Sequence, residues 1–429
     1  MPEIPLKSNW IRTRADRSEE LLARTMQAVF TDHQPADQFL KNVFRADRRI
    51  GGRDRRLYSG LIFAVFRWYG LLPGPSSTPA LLLAGAAAAE GLRDPSVRCF
   101  LHDAGLDENR TEELFEGAAP LERLDAFRRL AGLPGKTAEA GCIPEWILPH
   151  LDFEPDAQFY RSWQTRPPLW LRVQCGEPGE ILRFLRDSGL EAEAHERLGT
   201  ALRITGARAD LAGQEIFRQG RVEVQDLSSQ CIGQVCAPEP GQVWWDACCG
   251  GGGKTLQLAS LMNGKGTVTA SDIRSRKLEE LKRRAGRAGF SNIRAREWDG
   301  RELPVPENSC TGVLVDAPCS SSGRWRRNPE SRWVLTPERV AELAGLQRQI
   351  LARAADAVKP GGVLVYATCS FLRDENRLTA EAFLAARPDF ELEPFAHPLT
   401  GETTPGLLQI LPADGDCDAS FIARFRKVT

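Results

Sequence analysis

VWWDACCGGGGKT, residues 243–255, is the stretch of sequence that decides the fold. A short apolar run ends in Asp246, four glycines follow, and a helical segment begins at Lys254. Because glycine adopts positive φ and leaves room for a ligand against the backbone, such a turn suits a binding site. The stretch therefore predicts a strand-to-helix turn that faces a bound molecule.

The glycine turn departs from two common nucleotide-binding motifs. The dinucleotide pattern G-x-G-x-x-G does not occur at the right offset, and a P-loop would need a glycine at Cys248, although Gly253-Lys254-Thr255 resembles the end of one. Asp272 follows about 20 residues after the turn, where a carboxylate can hold ribose hydroxyls. Asp299 could accept a hydrogen bond from an adenine amino group. An adenosyl amino acid, which has no phosphates to neutralise, fits this arrangement.

Apolar runs alternate with helical segments on the carboxyl side of the turn. Strands are predicted at residues 243–246, 267–270, 292–296, 312–315 and 362–367, and helices at 254–262, 277–288 and 337–358. This alternation is typical of βαβ units and of a parallel sheet covered on both faces. Ligands of such sheets bind beyond the carboxyl ends of the strands.

Chemically active side chains follow several of these predicted strands. They are Asp246, Asp272, Asp299, Asp316 and Cys369. A single aspartate after a strand is more often the N-cap of the next helix than part of a site. A row of them at successive strand ends favours a site.

The first third of the chain is predicted to be helical. Residues 10–130 carry apolar side chains at i, i+3 and i+4 spacing, and no strand-like alternation occurs before Trp146. Further along, short strands are predicted at 169–173, 190–195, 201–204 and 221–224, with a short helix at 180–186. We therefore expect a helical domain at 1–145, a small α+β domain at 146–225 and a Rossmann-like α/β domain at 226–429.

Composition places the chain among folded, multidomain proteins. It has 429 residues, of which 42% are hydrophobic and 26% are charged, and this length exceeds one ordinary core. The net charge of −1 does not announce a nucleic-acid partner, so any RNA-binding field must be local. Residues 1–70 carry 13 Lys and Arg against 8 Asp and Glu, which fits either such a field or ordinary solvated helix faces.

The sequence shows no sign of export, membrane insertion or metal binding. Residues 1–5 lack the basic start of a signal peptide, and the longest apolar stretch, 80–89, contains Gly85 and is too short to span a membrane. The eleven cysteines form no CxxC pair and the five histidines are scattered, so neither disulfides nor zinc are expected. We expect a cytoplasmic, monomeric protein that holds no metal.

Two cysteines stand at the ends of neighbouring predicted strands. One lies in VDAPCSSSG, residues 315–323, and the other in YATCS, residues 366–370. Most cysteines are small buried hydrophobes, but two at one sheet edge suit a specific reaction. A thiolate adds to C6 of a cytosine, which makes C5 able to attack a sulfonium methyl group. An ordinary thiol has a pKa of about 8.5 and needs nearby positive charge, such as Lys254 and the arginines that follow the first motif, to ionise at neutral pH. This chemistry leaves open whether Cys319 or Cys369 attacks.

The motifs of this sequence resemble those of a known family. Residues 246–255 match a turn usually written DxCAAPGGKT, 316–320 (DAPCS) and 367–370 (ATCS) match two cysteine motifs, 326–333 match RRxPxxxW, and 224–230 match a motif that leads into the catalytic domain. On these motifs the chain resembles the Sun/Fmu (RsmB-like) family of RNA cytosine-5 methyltransferases. The resemblance is strong over 220–429 and weaker over 145–220. Over 1–140 it depends on the helical pattern and on Arg53-Asp54-Arg55.

The resemblance implies a fold, a cofactor and a partner. The implied fold is an α/β Rossmann-like S-adenosylmethionine-dependent methyltransferase domain, preceded by a small α+β segment and an all-helical NusB-like domain that binds RNA. The implied substrate is a cytosine in RNA, most readily ribosomal RNA, with transfer RNA as the second possibility. The implied reaction passes through a covalent bond between a cysteine and C6 of that cytosine.

The resemblance also assigns roles to individual residues. Cys369, in the TCS motif, is the implied nucleophile, Cys319 assists product release, and Lys254 and Asp316 order the target base. DNA cytosine-5 methyltransferases attack with the cysteine of their PC motif instead, so the choice of Cys369 depends on the resemblance. Asp272 is implied beside ribose and Asp299 beside adenine. The full set implied to bind the cofactor is Cys248, Cys249, Gly250, Gly251, Gly252, Gly253, Lys254, Asp272, Lys277, Asp299 and Asp316.

Departures from the family pattern are few. Cys249 and Gly251 replace Ala and Pro, Asn328 replaces a common His, and DASF at 418–421 stands where DGFF is usual. None of these changes removes a reacting group. The main alternative is a noncatalytic RNA-binding ribosome-assembly factor on the same fold. The TCS motif and the helical domain disfavour a DNA enzyme, and a small-molecule methyltransferase would not need two cysteines.

One further loop is expected to contact RNA. It reads Arg324-Trp325-Arg326-Arg327 and follows the first cysteine motif. Its arginines are expected to contact phosphates, and Trp325 to stack on a base. The other interpretation is an ordinary solvated loop.

Overall fold

The chain forms two compact units. The computed structural model describes residues 9–74, 76–115, 117–134, 138–205, 211 and 213–429. The helical unit comprises the chain up to Pro149 together with Phe153–Arg166 and Trp325–Leu335, and the sheet unit comprises His150–Asp152, Pro167–Arg324 and Thr336–Thr429. The three-domain division stays a prediction, and so does the interpretation of residues 1–5, which lie outside the described residues.

The helical unit consists mostly of helices. In the sheet unit, other helices pack on the sheets. The α-helices are α1 (Asn9–Phe30), α2 (Ala36–Ala46), α3 (Gly52–Trp68), α4 (Pro79–Glu90), α5 (Ser96–Asp103), α6 (Pro120–Leu130), α7 (Ala157–Ser162), α8 (Pro178–Asp187), α9 (Glu215–Arg218), α10 (Leu227–Cys236), α11 (Gly253–Leu261), α12 (Ser275–Arg287), α13 (Ser331–Val334), α14 (Pro337–Ala355) and α15 (Arg377–Ala386). Short 3-10 helices lie at Tyr69–Leu71, Glu108–Phe115, Glu139–Cys142, Glu145–His150, Ser322–Arg324 and Pro412–Asp414.

The helical unit is organised around α4, whose sequence is apolar on every side. Its N-terminus is capped by Thr78, which accepts a hydrogen bond from the backbone N–H of Leu81, and its C-terminus ends at Gly91 with φ 65°. A Cβ at Gly85 would lie 2.6 Å from Leu72 Cδ2 and 2.7 Å from Phe127 Cε1, so glycine lets neighbouring helices close on α4. A helix that is apolar all round belongs in a core, and the all-helical prediction for this region is confirmed over the described residues.

The strands form one large sheet and two small ones. They are β1 (Leu169–Val173), β2 (Ala192–Ala194), β3 (Ala201–Ile204), β4 (Val222–Val224), β5 (Val243–Asp246), β6 (Thr267–Asp272), β7 (Ile293–Glu297), β8 (Cys310–Asp316), β9 (Val358–Thr368), β10 (Phe390–Leu392), β11 (Phe395–Ala396), β12 (Thr403–Thr404), β13 (Leu407–Ile410) and β14 (Ser420–Lys427). The large sheet has the order β10-β14-β9-β8-β5-β6-β7, with β13 also paired to β14, and the four-stranded sheet has the order β2-β3-β1-β4. The remaining pair is β11 with β12.

The large sheet is parallel through its first five strands and antiparallel at its C-terminal edge. β5 pairs in parallel with β6 and β8, and β8 pairs in parallel with β9. β14 runs antiparallel to β9, with Phe421 opposite Thr368. The predicted α/β fold with a parallel sheet is therefore confirmed for residues 243–367, and the sequence pattern did not predict the antiparallel strands that follow.

Helices cover both faces of the large sheet. Trp244 packs on one face with residues of α10 and α11, and Trp245 packs on the other with residues of α14 and α15. A Cβ at Gly312 in β8 would lie 2.3 Å from Trp244 Cζ2, so glycine makes room for this indole. Because the strands are parallel, with Asp246 opposite Leu314 and Asp316 opposite Ala367, the ends of β5, β8 and β9 lie at one edge. Among the described residues, none of the helices is both long and apolar enough to cross a membrane.

Candidate active site

The glycine turn joins β5 to α11 in a backbone conformation that only glycine adopts easily. Gly250 has φ 52° and Gly252 has φ 86°. The N–H of Gly250 donates to Asp272 Oδ2 at 3.0 Å, and the N–H of Cys249 donates to the carbonyl of Ser271 at 2.8 Å. These bonds tie the turn to the end of β6 and bring Asp272 against the glycines.

Two charged side chains of α12 flank the turn. A Cβ at Gly251, where the resembled family has proline, would lie 2.8 Å from Glu280 Oε1. Lys277 Nζ donates to Glu280 Oε2 at 2.8 Å, which brings Lys277 close to the turn. The departure at Gly251 therefore goes with a carboxylate that occupies the space beside the glycine backbone.

Asp272 is buried and fully engaged at the end of β6. It accepts from the Nε of Arg274 at 2.9 Å, from its Nη2 at 3.0 Å and from its backbone N–H at 2.9 Å. Burial alone would raise the pKa of Asp272, but the hydrogen bonds from Arg274 outweigh it and lower that pKa. Asp272 is therefore ionised at neutral pH. Arg274 was missed by the sequence reasoning, because an arginine after a strand carries no motif.

Asp299, which follows β7, is solvent-exposed. Its side chain is 53% exposed, beyond the end of β7, and its Oδ1 accepts from the backbone N–H of Arg301 at 3.1 Å. This geometry fits both an aspartate that caps its own loop and an aspartate that binds adenine.

A lysine and an aspartate form an ion pair between the turn and the cysteines. Lys254 Nζ lies 2.7 Å from Asp316 Oδ2, with the lysine side chain 14% exposed. Burial lowers the pKa of Lys254, but the attraction of Asp316 outweighs it, so the net shift is upward. The ammonium stays charged, and its attraction for an ionised Cys369 contributes to the same upward shift of the pKa.

The two predicted cysteines meet at the ends of β8 and β9. The Sγ atoms of Cys319 and Cys369 are 3.3 Å apart, and both thiols are free and partly accessible. The hydrogen bond with Cys319 lowers the pKa of Cys369, helped by the hydroxyl of Ser321 and by Arg324, against the effects of burial and of the negative charge of Asp316. The same hydrogen bond, together with burial, raises the pKa of Cys319. Of the two thiols, Cys369 is therefore the one that ionises more readily.

Backbone hydrogen bonds hold the two cysteine loops together. The N–H of Gly323 donates to the carbonyl of Cys369 at 3.0 Å, and the N–H of Ala419 donates to the carbonyl of Gly323 at 2.9 Å. A Cβ at Gly323 would lie 2.2 Å from the carbonyl oxygen of Ala419, so no larger residue fits. Ser321 has φ 57°, a left-handed conformation that a serine adopts only under local constraint. Its Oγ lies 3.6 Å from Cys369 Sγ.

A buried polar cluster lies beneath the loops and was missed by the sequence reasoning. Its central residue is Glu375, whose carboxylate accepts from the N–H of Ser320 at 2.7 Å and from Gln347 Nε2 at 3.0 Å. A single glutamate in a loop after a strand has no pattern that marks it. The sequence did contain one signal: no Lys or Arg stands three or four residues from Glu375, where it could form an ion pair with this carboxylate.

The prediction that residues 324–327 form an RNA-contacting loop is wrong for two of the four side chains. Trp325 is 0% exposed and packs edge-on against Trp163, with ring centroids 5.9 Å apart, in the core of the helical unit. Arg326 is also buried and donates to Thr165 Oγ1 at 2.8 Å. The indole is more stable in that core than in water, so it is not available to stack on a base. Arg324 remains exposed.

The site fits an adenosyl amino acid better than a phosphorylated nucleotide or a metal. A glycine turn lies beside an ionised carboxylate, Asp272, and the lysine of the turn, Lys254, is already paired with Asp316. Among the residues that the structure describes, no group of three or more His, Cys, Asp and Glu is arranged to hold a metal ion. The donor set therefore favours hydroxyl and amino groups over phosphate.

Comparison with known sequences reveals a family match over the sheet unit. The family model described as 16S rRNA methyltransferase RsmB/F matches residues 233–426. The chain is 33% identical over 297 residues to a probable ribosomal RNA small subunit methyltransferase B of Bacillus subtilis (strain 168), a match that covers 66% of each chain. It is 35% identical over 298 residues to the ribosomal RNA small subunit methyltransferase B of Klebsiella pneumoniae (strain 342), again over 66% of each. The match thus spans slightly under two thirds of these relatives' length.

Comparison with solved structures extends over the whole chain. The crystal structure of PH0851 covers 99% of both chains with a TM-score of 0.75 at 25% identity. The structure of NSun6 from Pyrococcus horikoshii with SFG covers 66% of this chain and 97% of that one, with a TM-score of 0.58 at 18% identity, and demonstrates a shared fold.

Proposed function

The chain belongs to the RsmB/F (Sun/Fmu) family of rRNA methyltransferases, and from that premise we propose that it methylates C5 of a cytosine in ribosomal RNA with S-adenosylmethionine. The observation that carries the proposal is the 3.3 Å distance between the Sγ atoms of Cys319 and Cys369, a contact that lowers the pKa of Cys369 and raises that of Cys319. Methylation at a nitrogen or an oxygen would need no such pair. A cytoplasmic location and a monomeric state belong to the same proposal.

Cys369 acts as the nucleophile in this proposal. Its Sγ forms a bond to C6 of the cytosine, and the electron pair of the C5–C6 double bond becomes available at C5 while the ring takes up a proton at N3. Its lowered pKa provides a thiolate for this attack. Lys254, charged and paired with Asp316 at 2.7 Å, adds positive potential to the same pocket.

The cofactor would lie against the glycine turn, near Asp272 and Asp299. When bound, S-adenosylmethionine supplies a sulfonium methyl group, and its sulfur keeps the electron pair of the broken bond. A Cβ at Gly250 would meet nothing within 4 Å, so the backbone there leaves room for this molecule. The carboxylate of Asp272 is ionised, because its pKa is lowered, and is able to accept from hydroxyls. Lys277 and Glu280 border the turn on its α12 side.

Cys319 completes the cycle. Once Cys369 is bonded to carbon, Cys319 no longer shares a proton with a thiolate, so it releases its own proton to water and accepts the proton from C5. The Sγ–C6 bond then breaks, the C5–C6 double bond returns, N3 gives up its proton and Cys369 leaves as a thiolate. One proton is released for each methyl group transferred.

The RNA partner is supported by a basic surface on the helical unit, which we call the α2–α3 basic surface. Its exposed members are Lys41, Arg45, Arg48, Arg49, Arg53 and Arg56. Between residues 41 and 56 the two acids are already neutralised, because Asp47 pairs with Arg49 at 2.9 Å and Asp54 pairs with Arg14 at 2.7 Å. A local excess of positive charge remains although the net charge of the chain is −1, which suits binding to phosphates.

Charge reversal should test the α2–α3 basic surface. The double variant Arg48→Glu/Arg53→Glu should weaken RNA binding and lower the log–log salt slope by about one for each phosphate that is no longer neutralised. Fluorescence anisotropy with an rRNA fragment at several salt concentrations measures both. Arg129→Glu, an exposed arginine on α6, is the matched control. An equal loss of affinity in the control would mean that only net charge matters.

The proposed function is tested directly by mapping methylcytosine in ribosomal RNA. Bisulfite sequencing of ribosomal and transfer RNA from cells with and without the gene should reveal one cytosine that loses its methyl group. Complementation with Cys369→Ala should leave that position unmethylated. If no position in either RNA changes, the noncatalytic assembly factor becomes the better explanation.

A further inference from the structure

Glu375 is a buried carboxylate in the loop after Cys369 that no step of the proposed reaction uses. Its residue is 0% exposed, and it lies between β9 and α15. Burying an ionisable group costs free energy unless partners compensate. The partners of Glu375 therefore indicate what it is there to hold.

The carboxylate of Glu375 clamps the loop that carries Cys319. Its Oε1 accepts from the backbone N–H of Ser320 at 2.7 Å, and its Oε2 accepts from the Ser320 hydroxyl at 2.5 Å. Gln347 on α14 donates both to Glu375 Oε1 and to the carbonyl of Pro318, each at 3.0 Å. The residues on both sides of Cys319 are thus held by one carboxylate and one amide.

The same cluster reaches the loop that carries Cys369. Ser370, directly after Cys369, lies 3.4 Å from the Ser320 hydroxyl and 2.9 Å from the Ser322 hydroxyl, measured between Oγ atoms. The Tyr366 hydroxyl of β9 donates to the backbone carbonyl of Glu375 at 2.5 Å. The two thiols are therefore placed 3.3 Å apart by a continuous buried network that passes through Glu375.

Three hydrogen-bond donors surround the carboxylate of Glu375. The Ser320 N–H and hydroxyl and the Gln347 amide all donate to its carboxylate, so the acceptor-only form is the one that these hydrogen bonds satisfy. Burial raises the pKa of Glu375, and the hydrogen bonds from Ser320, Ser370 and Gln347 oppose that rise. The nearby negative charge of Glu375 adds to the effects of Cys369 and of burial that raise the pKa of Cys319.

We propose that Glu375 is a positioning residue that sets the loop of Cys319 against Cys369 and directs the proton shared by the two thiols to Cys319. Its catalytic meaning rests on the proposed function, because the roles of the two cysteines come from there. The placement of the proton can be measured without RNA or cofactor. A glutamate with only a structural role would hold the loop without changing which of the two thiols ionises more readily.

The test is competitive alkylation of the free protein with limiting iodoacetamide, read by peptide mass spectrometry across pH 6 to 10. In the unaltered protein Cys369 should be labelled well before Cys319. Glu375→Gln keeps the size of the side chain but removes its charge, so the ratio of Cys369 to Cys319 labelling should fall about tenfold for each unit by which the pKa of Cys319 drops. Glu381→Gln on α15, half-exposed and paired with Arg377, is the matched control and should leave the ratio unchanged.

Other charged and titratable groups around the thiols stay in place in all of these variants. They are Lys254, Asp316, Arg324, Arg348 and Tyr366. In the Cys319→Ala background, Glu375→Gln should change the labelling of Cys369 by less than about twofold, because the effect passes through Cys319. A comparable change in that background would indicate general loosening and overturn the proposal, as would an unchanged ratio in Glu375→Gln itself.

The outcome separates this proposal from the proposed function. Labelling needs neither substrate, so a protein that methylates nothing at C5 can still show the predicted shift. If C5 methylation is found and the ratio does not move, only the role of Glu375 is refuted. Ser320→Ala keeps the charge and removes one hydrogen bond, so it should lower kcat while leaving the labelling ratio within about twofold.

Discussion

Two pairs of cysteines lie at strand ends of the same sheet, and their surroundings make them chemically opposite. Cys248 and Cys249 follow β5 in the glycine turn, whereas Cys319 and Cys369 follow β8 and β9. Burial, with the negative charges of Asp246 and Asp272, raises the pKa of both thiols in the turn. In the second pair one thiol lowers the pKa of the other through a hydrogen bond.

The difference shows that position at a strand end is not enough to make a cysteine reactive. The thiols of the turn are surrounded by carboxylates, and a thiolate there would be repelled. Cys369 instead has a thiol donor at 3.3 Å and a hydroxyl at 3.6 Å. Hydrogen bonds to the charged form are what separate a nucleophile from an inert thiol of the same sequence type.

Removal of the proposed nucleophile should have the largest effect on this comparison. Cys369→Ala should lower methyl transfer by roughly 10⁴-fold or more, because no other group can form the bond to C6. Cys248→Ala removes one sulfur from the turn and should cost less than about tenfold. Transfer of labelled methyl from S-adenosylmethionine to rRNA measures both, and calorimetric cofactor binding should survive in Cys369→Ala. Full activity in that variant would reverse the comparison.

Removal of the partner thiol should have the next largest effect. Cys319→Ala leaves Cys369 able to attack but without the group that accepts the C5 proton, so turnover should fall roughly 10²- to 10⁴-fold. A covalent protein–RNA adduct should accumulate and run as a slow band on a denaturing gel. Cys249→Ala serves as the control and should give no adduct. If the adduct forms only with Cys369→Ala, the two roles are exchanged.

Neutralising Asp246, the acid directly before the glycine turn, should have the smallest effect. It tests the electrostatic difference between the two pairs of cysteines. Burial raises the pKa of Asp246 to about 7 from an ordinary value of 3.8, despite a hydrogen bond from Thr255. A raised pKa means that the folded state binds the proton more tightly than the unfolded state. The resulting stabilisation is complete below pH 3.8 and is lost as the pH rises through the folded-state pKa of about 7.

Asp246→Asn carries no charge at any pH and should lack that pH-dependent loss of stability. Its oxygen can still accept from Thr255, which donates to Asp246 Oδ2 at 2.6 Å. The difference in unfolding free energy between the variant and the unaltered protein should therefore grow by about 2 kcal/mol between pH 5 and pH 7. Chemical denaturation at several pH values measures this, and a difference that does not vary with pH would contradict a raised pKa for Asp246.

Much of the sheet unit could be predicted because its pattern is local. The predicted strands at 169–173 and 243–246 coincide with β1 and β5, since apolar runs of this length between turns leave few alternatives. The antiparallel strands beyond residue 367 were not predicted. The partner of β14 is β9, which lies far away in sequence, so nothing local indicates the pairing.

The candidate site was predictable only in part for a similar reason. Local pattern identified the glycine turn, Asp272 and both cysteines, because each follows a strand directly. It placed Trp325 in an RNA-contacting loop, stacked on a base, although this residue belongs to the core of the helical unit. A run of arginines is typical of an exposed segment. The burial of Arg326 next to Trp325 depends on contacts with another part of the chain, such as Thr165.

By itself the sequence determined that two cysteines stand at neighbouring strand ends beyond a glycine turn. Alternating strands and helices dictate a parallel sheet, and a parallel sheet brings the residues after its strands to one edge. Only the tertiary structure decided which thiol ionises more readily. That choice depends on hydrogen bonds of 2.5 to 3.6 Å that involve Ser320, Ser321 and Glu375. Such interactions act over a few ångströms in space, and no spacing along the chain encodes them.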